Sequence, residues 1–368
     1  MKSKFRFAPV GQGLFYTGSI DGGNYRFVYD CGAHERDLAY LNSAVDEYIT
    51  ECNKQKQSVA FAVISHLHYD HFSGLKRLME GVAVHKLFLP YVGTDRNLIE
   101  LVLAYEIFVR GGVRTRAKPQ KSDRYELYRF MLNLYLEPNF GQTIISFMAE
   151  EQADRVGYYS QIFADGIPWK FLLVNPSIFR EEFDDFETLL NRLLHARGDI
   201  SIRQLVQKEN FKEIKNIYIK VFQKKNLNDF CTLLLHYPDV THGVCYRGIE
   251  KRHRFYFSPK YSSCTVCSGH KDNLLTVLSG DAQTNELMDV RLNQDIQDAH
   301  ATTLIQVPHH GSQKTWENLG FWKELGSEYV IPFGWGNTYG HPSAKVIEET
   351  DGHFVTQTKS FDYEIDIT

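Results

Sequence analysis

The chain has 368 residues and a formal net charge of -4, which gives no overall electrostatic attraction to nucleic acid. Hydrophobic residues make up 43% and aromatic residues 14% of the sequence, enough for a large core, which excludes an intrinsically disordered protein. No apolar run approaches the roughly 18 residues of a membrane span, and Met1–Arg6 lacks the apolar segment of a signal peptide. We therefore expect a cytoplasmic protein without a membrane partner, whose six cysteines do not form a disulfide framework.

Two strands joined by a Gly-rich turn are predicted near the start of the chain, over Phe5–Val10 and Asn24–Tyr29. Between Glu35 and Lys54, apolar side chains recur at helical spacing with acids and amides between them. This pattern predicts a helix that covers one face of a sheet.

A dense group of metal-ligand types follows the apolar run Val59–Ile64, which predicts a buried strand. Imidazole and carboxylate are ligands that suit zinc or manganese, and polar residues at the carboxyl end of such a strand lie where α/β sheets keep their sites. His66 and His68 alternate in an extended segment, so both can face one ion, while Asp70 and His71 can turn toward a second. The stretch therefore predicts a site for two divalent metal ions, zinc or manganese.

Most of the middle of the chain has helical patterns interrupted by basic stretches. We expect a helical insertion over 93–152, a helical segment over 177–225 and a second insertion, which contains Cys and His, over 239–272. Both insertions carry cations close to aromatic residues, a composition that suits contact with nucleic acid, although a solvated connector has the same composition. The side chains considered for this contact are Arg110, Arg114, Arg116, Lys118, Arg252 and Arg254.

The second insertion permits one additional structural zinc site of Cys₃His type. Its ligands would be Cys245, Cys264, Cys267 and His270. Only one Cys-x-x-Cys is present, so unpaired thiols in a β-hairpin are the alternative. Loss of about one bound zinc per chain when Cys264 and Cys267 are mutated would distinguish the two.

Three short motifs near the end of the chain again place polar residues after apolar strands. They are Leu278–Ala282 with Asp281, Val307–Ser312 with His309 and His310, and Tyr339–Pro342 with His341. Because residues that could share one site stand at both ends of the sequence, we expect residues 1–368 to fold as a single domain.

The spacing His-x-His-x-Asp-His resembles the signature of the metallo-β-lactamase-fold hydrolases. Together with Val10–Leu14, Phe27–Gly32 and the three distal motifs, it is most similar to the metallohydrolase domain of the bacterial competence DNA-uptake channel protein and its soluble relatives. The resemblance implies an α/β (α+β) fold class: an αββα sandwich of two mixed sheets with helices outside, carrying the two insertions.

The resemblance also implies a role for each matching residue. His66 and His68 would hold one ion, Asp70, His71 and His341 the other, and Asp281 would bridge the two. Asp30 would support the loop from behind the metals. Many family members have a third histidine for the first metal where this chain has Asn228. The residues expected to act on water or substrate are Asp70, His309 and His310.

The function implied is a metal-dependent hydrolase, a phosphodiesterase or nuclease acting on nucleic acid or nucleotides through a water activated by two ions. Two alternatives stay open. One is hydrolysis of a small ester, lactone, thioester or phosphorylated compound at the same site. The other is a partner-binding subunit of a bacterial defence or toxin system, whose insertions meet a protein partner.

Overall fold

Regular elements fill most of the described chain. The computed structural model describes residues 1–110, 121–137, 139–148, 159–162, 164, 166–174, 180–224, 227–239, 244–248, 273–282, 301–317 and 328–367. In these ranges the strands are β1 (Lys2–Phe7), β2 (Gly13–Ile20), β3 (Tyr25–Ala33), β4 (Val59–Val63), β5 (Val84–Leu89), β6 (Asn139–Phe140), β7 (Thr143–Phe147), β8 (Tyr159–Ile162), β9 (Trp169–Val174), β10 (Leu233–Pro238), β11 (Val244–Gly248), β12 (Asn273–Leu278), β13 (Ala301–Gln306), β14 (Glu328–Pro332), β15 (His353–Val355) and β16 (Phe361–Ile367).

Helices follow or interrupt these strands. In the same ranges the α-helices are α1 (Leu38–Gln55), α2 (Tyr69–Phe72), α3 (Leu75–Gly81), α4 (Arg96–Ala104), α5 (Lys121–Leu136), α6 (Arg180–His195), α7 (Ile202–Gln207), α8 (Phe211–Val221), α9 (Gln313–Glu317) and α10 (Ala344–Thr350). A π-helical turn, Tyr105–Arg110, continues α4. Helix α1 confirms the helix predicted between Glu35 and Lys54.

The described strands form two sheets. The first has nine strands in the order β11-β16-β1-β2-β3-β4-β5-β7-β6, and the second has seven in the order β15-β14-β13-β12-β10-β9-β8. In the first sheet β3, β4, β5 and β7 run parallel, and in the second β12, β13, β14 and β15 run parallel. The carboxyl ends of parallel strands meet at one edge, where ligand sites are usual.

The two sheets pack face to face on an apolar layer that both supply. In β4, Phe61 belongs to this inner layer, whereas Ala62 faces the helices, so the strand is buried on both sides. Helix α1 covers the outer face of the first sheet, with a buried stripe that includes Leu41, Val45 and Tyr48. Helices α9 and α10 contribute Trp316 and Val346 to the core on the outer face of the second sheet. The predicted fold class, an α/β sandwich with helices outside two mixed sheets, is confirmed.

The segments predicted as insertions contribute strands to the first sheet, although only a helical pattern was predicted for 93–152. Within 93–152 the structure has α4 and α5 but also β6 and β7, which extend the first sheet. Within 239–272 it has β11, which pairs with β16 at the edge of that sheet. Across the described ranges, no helix has the length and apolar character needed to traverse a bilayer.

Candidate metal centre

The residues singled out at both ends of the sequence converge at the carboxyl ends of parallel strands. The His66 loop follows β4, Asp281 follows β12 and the His309-His310 pair follows β13. His341 lies in the loop after β14. The parallel ladders place the ends of β12, β13 and β14 side by side in the second sheet. The His66 loop of the first sheet meets them, since His66 Nε2 lies 3.6 Å from Asp281 Oδ2.

One group of ligand types consists of His66, His68 and Asp281, all buried. Their ligand atoms lie within 4.8 Å of one another. Asp281 Oδ2 is 3.6 Å from His66 Nε2 and 3.6 Å from His68 Nδ1. Zinc binds imidazole nitrogen or carboxylate oxygen at about 2.0–2.2 Å, which puts two ligands of one ion at most about 4.4 Å apart. A small inward shift of these three side chains would therefore seat one ion.

A second group consists of Asp70, His71 and His310, again with ligand atoms within 4.8 Å of one another. His310 Nε2 lies 3.4 Å from Asp70 Oδ2. The sequence prediction gave this place to His341, and in the structure His310 takes it. At His310 the backbone φ is +53°, and Nδ1 of the His310 ring donates to Pro332 O over 3.0 Å. These two features direct the ring toward Asp70 and His71.

Asp281 lies between the two groups. Its Oδ2 faces the first group, while its Oδ1 is 3.2 Å from His71 Nε2 and 3.9 Å from His310 Nε2. Four buried atoms of the cluster have no hydrogen-bond partner: His66 Nε2, His71 Nε2, His310 Nε2 and Asp281 Oδ1. Buried polar atoms are normally satisfied. Converging nitrogen and oxygen atoms without partners fit a binding place for divalent metal.

The carboxylate of Asp30 holds the histidine loop, residues 65–71, in place. Asp30 sits opposite the step between Phe15 and Tyr16 where the β2-β3 register shifts, and its own φ is +54°. Such a bulge redirects a side chain out of the ladder. The carboxylate accepts from Ser65 N (2.6 Å) and Ser65 Oγ (2.8 Å), and its Oδ2 lies 2.7 Å from His71 Nδ1. This contact fixes the His71 tautomer and aims Nε2 at the cluster.

Gln306, which the sequence analysis did not single out, holds the Asp281 loop. Its Oε1 accepts from Ser279 N and Gly280 N, each at 2.8 Å, and its Nε2 donates to Gly280 O at 3.1 Å. A lone amide between Ile305 and Val307, at the end of β13, was the signal that could have identified it. Because Gln306 is buried and its side-chain polar atoms are hydrogen-bonded, it holds the turn that places Asp281 in the site.

Asn228 contacts His309. Its Nδ2 lies 3.0 Å from His309 Nδ1. Because the amide nitrogen can only donate, Nδ1 is the acceptor and neutral His309 carries its proton on Nε2. That Nε2 is 3.9 Å from Asp281 Oδ2, and the side chain is 32% exposed. The residue at the expected position of a third histidine thus orients a different histidine at the rim.

Burial lowers the pKa of both His66 and His68 and so favours their neutral, ligand-ready form. Burial also opposes the charge of His71, but the carboxylates of Asp281 and Asp30 outweigh it and raise the pKa of His71. A metal cation bound next to these carboxylates would displace the proton that His71 otherwise holds. Metal binding should therefore release protons.

A pocket of about 70 Å³ opens at the cluster. Its lining includes Asp70, Asp281, His309, His310, His341 and Arg110. His341 therefore lies at the rim, with its ring 5.4 Å from that of His309. Sequence reasoning missed Tyr339, which lines the same pocket.

Arg110 brings a cation to this pocket from the end of the π-helical turn. Its Nη1 lies 3.3 Å from Glu106 Oε1; the Glu106 side chain is fully buried and that of Arg110 is 44% exposed. Burial raises the pKa of Glu106 to about 7, although Arg110 lowers it. The backbone of Tyr69, next to Asp70, also hydrogen-bonds to Glu106. The turn thus ties the guanidinium to the metal-ligand loop.

Most of the other predicted contact and zinc residues lie outside the described residues. These are Arg114, Arg116, Lys118, Arg252, Arg254, Cys264, Cys267 and His270. Cys245 is in the edge strand β11. Cys31, Cys52 and Cys231 are buried free thiols. The additional zinc site stays a prediction.

Comparison with known proteins adds a distant structural likeness. No family model matches the sequence, and no curated protein matches it. The crystal structure of unliganded yeast PDE1 aligns with a TM-score of 0.41 and 8% sequence identity, over 99% of each chain. A likeness at this level carries no conclusion about family or activity. The resemblance to metallo-β-lactamase-fold hydrolases and competence proteins stays an expectation from the motifs.

Proposed function

We propose that this protein is a metal-dependent hydrolase that cleaves phosphodiester bonds in nucleic acid or nucleotides. The observation that supports it most directly is the pair of ligand groups facing opposite oxygens of Asp281 beneath one pocket. His66, His68 and Asp281 would hold one cation, and Asp70, His71 and His310 the other. Such a pair supplies Lewis acidity and a water of lowered pKa.

The protein's own side chains have distinct tasks in this proposal. Asp70 is 21% exposed and lines the pocket, so its carboxylate can orient a water molecule. His309 carries its proton on Nε2, at the pocket rim, because Asn228 occupies Nδ1. Its Nε2–H can donate a hydrogen bond to a substrate oxygen on which negative charge develops. The buried ligand histidines hold their rings in place through Asp30 and Pro332.

Arg110 favours an anionic substrate. A half-exposed guanidinium at the wall of a pocket this small lies within reach of a phosphoryl oxygen, and its planar donors match that group. An uncharged ester or lactone would gain less than a phosphoryl group from this guanidinium, which also pairs with Glu106. Phosphodiesters are therefore preferred over carboxylic esters, and nucleic acid or nucleotides follow as the commonest such compounds.

The proposal is tested by assaying the protein loaded with zinc or manganese on single-stranded DNA, RNA, a simple phosphodiester and a carboxylic ester. We expect cleavage of at least one phosphodiester and its loss in Asp281→Asn, with metal content reduced at both groups because Asp281 Oδ2 belongs to the first group and Oδ1 faces the second. Circular dichroism of the variant checks folding. Hydrolysis of the ester alone would contradict the phosphodiesterase. No turnover of any substrate by fully loaded protein would favour the partner-binding subunit.

Arg110→Gln should raise KM for the cleaved phosphodiester by about 10- to 100-fold with a smaller effect on kcat, since a charged hydrogen bond of roughly 1.5–3 kcal/mol is lost. The single variant leaves Glu106 buried without its partner, which is destabilising. The double variant Glu106→Gln/Arg110→Gln removes both charges and serves as the control for folding. An unchanged KM in a folded double variant would rule out Arg110 as an anion contact.

A further inference from the structure

Exposed apolar side chains cluster beside the metal centre. Among the large hydrophobic residues described as exposed are Trp335 (65%), Tyr339 (57%) and Ile347 (39%), all on or next to the loop after β14. Single exposed apolar residues need no explanation, but a contiguous group marks a binding surface. We propose that this loop forms a subsite for a nucleobase of the substrate. The inference rests on the proposed function, whose substrate it narrows to a base-bearing phosphodiester.

His341 lines both the groove at this loop and the metal pocket. It has a volume of about 290 Å³, against about 70 Å³ for the pocket over the ligand groups. Small-molecule sites begin at roughly 300 Å³. The metal pocket therefore has room for the reacting phosphoryl group and little more. Whatever is attached to that group must leave the pocket, and the groove past His341 is the adjoining space.

Trp335 is held at the groove by its backbone. Trp335 N donates to Gln357 Oε1 over 3.0 Å, and Gln357 Nε2 donates to Trp335 O over 3.3 Å and to Asp37 Oδ1 over 3.0 Å. Its ring packs edge-on against Phe333, with centroids 5.0 Å apart. An indole anchored in this way stays exposed at a fixed place. Because the Trp335 indole is in place before a ligand arrives, less conformational entropy is lost on binding.

Asn337 fixes the rest of the loop. Its Oδ1 accepts from Tyr339 N and His341 N, each at 3.1 Å, and its Nδ2 donates to Gly334 O at 2.9 Å and to His341 O. The rings of Tyr339 and His341 lie nearly parallel, 6.2 Å apart at an angle of 16°. Aromatic faces are thus presented on both sides of the junction between groove and pocket.

The chemistry of the groove selects a flat, uncharged group. Among the described residues that line it, none is Asp, Glu, Lys or Arg; they are aromatic, aliphatic and glycine residues with one amide and one histidine. A second phosphate would gain nothing there, whereas a nucleobase stacks on aromatic rings. The side chain of Asn337 makes its hydrogen bonds to the loop itself. Binding should therefore depend weakly on which base is present.

The test compares oligothymidylate with an oligomer of the same length whose residues all lack bases, using metal-loaded protein. For wild type, KM should be lower for the base-bearing oligomer. Trp335→Ala should raise that KM by about 5- to 150-fold, the range for loss of one stacked base, and leave KM for the abasic oligomer unchanged. Trp335→Phe should restore most of the difference. Tyr40→Ala removes a comparably exposed aromatic from α1 and should change nothing.

A second measurement does not depend on turnover. Thymidine 5′-monophosphate should quench tryptophan fluorescence of the wild type and not of Trp335→Phe, while inorganic phosphate should quench neither. Equal KM values with and without bases, together with no quenching, would overturn the subsite and leave the phosphodiesterase standing. Quenching without cleavage of any phosphodiester would support the subsite and reject the proposed function.

Discussion

At the scale of single residues, the cluster depends on conformations that few side chains tolerate. Asp30, His309 and His310 all have φ near +50°, a region disfavoured for residues with a Cβ, and strain of this kind collects at functional sites. The positive φ of Asp30 lets its carboxylate reach Ser65 and His71 from a bulged strand. The carboxylate thus has an orienting role that an ordinary strand residue at this position would not have.

Asp30→Asn tests this role. Asparagine tolerates the left-handed conformation, so the backbone should be kept while the charge that orients His71 is lost. We expect metal affinity to fall by about 10- to 100-fold, the usual cost of removing such a partner. Competition with a chelator of known affinity measures it. An unchanged affinity would show that His71 is oriented without the charge.

At the scale of elements, β2 and β3 approach the histidine loop so closely that only glycine fits. A Cβ on Gly32 would lie 2.5 Å from backbone atoms of Asp70 and His71, and one on Gly13 would lie 2.9 Å from Asp70 O. These are contacts with backbone, which cannot give way as a flexible side chain can. The strand pair therefore sets the position of helix α2, which carries two of the second group's ligands.

Gly32→Ala should displace that loop. We expect destabilisation of about 1–3 kcal/mol from overpacking and loss of at least one bound metal ion per chain. Denaturant unfolding and metal analysis give the two values. Gly22→Ala is the matched control: its Cβ would meet no atom within 4 Å, so only backbone strain at φ +64° is added and metal content should be retained. Equal metal loss in both variants would contradict the steric explanation.

At the scale of the whole molecule, the apolar layer between the sheets contains a chain of polar groups. His236 Nε2 lies 2.7 Å from Tyr16 OH, which is 2.6 Å from Tyr363 OH, which is 2.6 Å from Thr276 Oγ1. Trp169 Nε1 donates to His236 Nδ1 over 3.4 Å. These bonds join strands of both sheets and satisfy side chains that would otherwise be costly to bury.

Burial lowers the pKa of His236 to about 3. An unfolded histidine binds a proton below about pH 6.5, whereas the folded one does not until far lower pH. The contribution of neutral His236 to stability is thus complete above pH 6.5 and is lost as the pH falls toward 3, by up to roughly 1.4 kcal/mol per pH unit. His236→Gln should be less stable than wild type at pH 7.5 but lose less stability between pH 6.5 and 4.5. Urea unfolding in chelator at several pH values measures this; parallel curves would contradict it.

The sequence alone determined several elements and most of the ligand types. Helix α1 follows from the helical spacing of its apolar residues, and the strand before the histidine loop follows from a short continuous apolar run, which is typical of a strand buried on both faces. The fold class was inferred from the order of motifs and is confirmed. Asp281 could be picked out because it follows the end of an apolar strand, and the carboxyl ends of strands are where α/β sheets keep their sites.

Only the tertiary structure decided which histidine faces which carboxylate. His310 and not His341 joins Asp70 and His71, and Asn228 holds His309, because ring direction depends on backbone turns and on partners from other strands. The place of Arg110 likewise depends on the contact between Glu106 and the backbone of Tyr69, and that of Trp335 on Gln357; both contacts join separate segments of the chain. Local pattern determines what kind of residue reaches the edge of a sheet, and packing of separate segments determines where its atoms point.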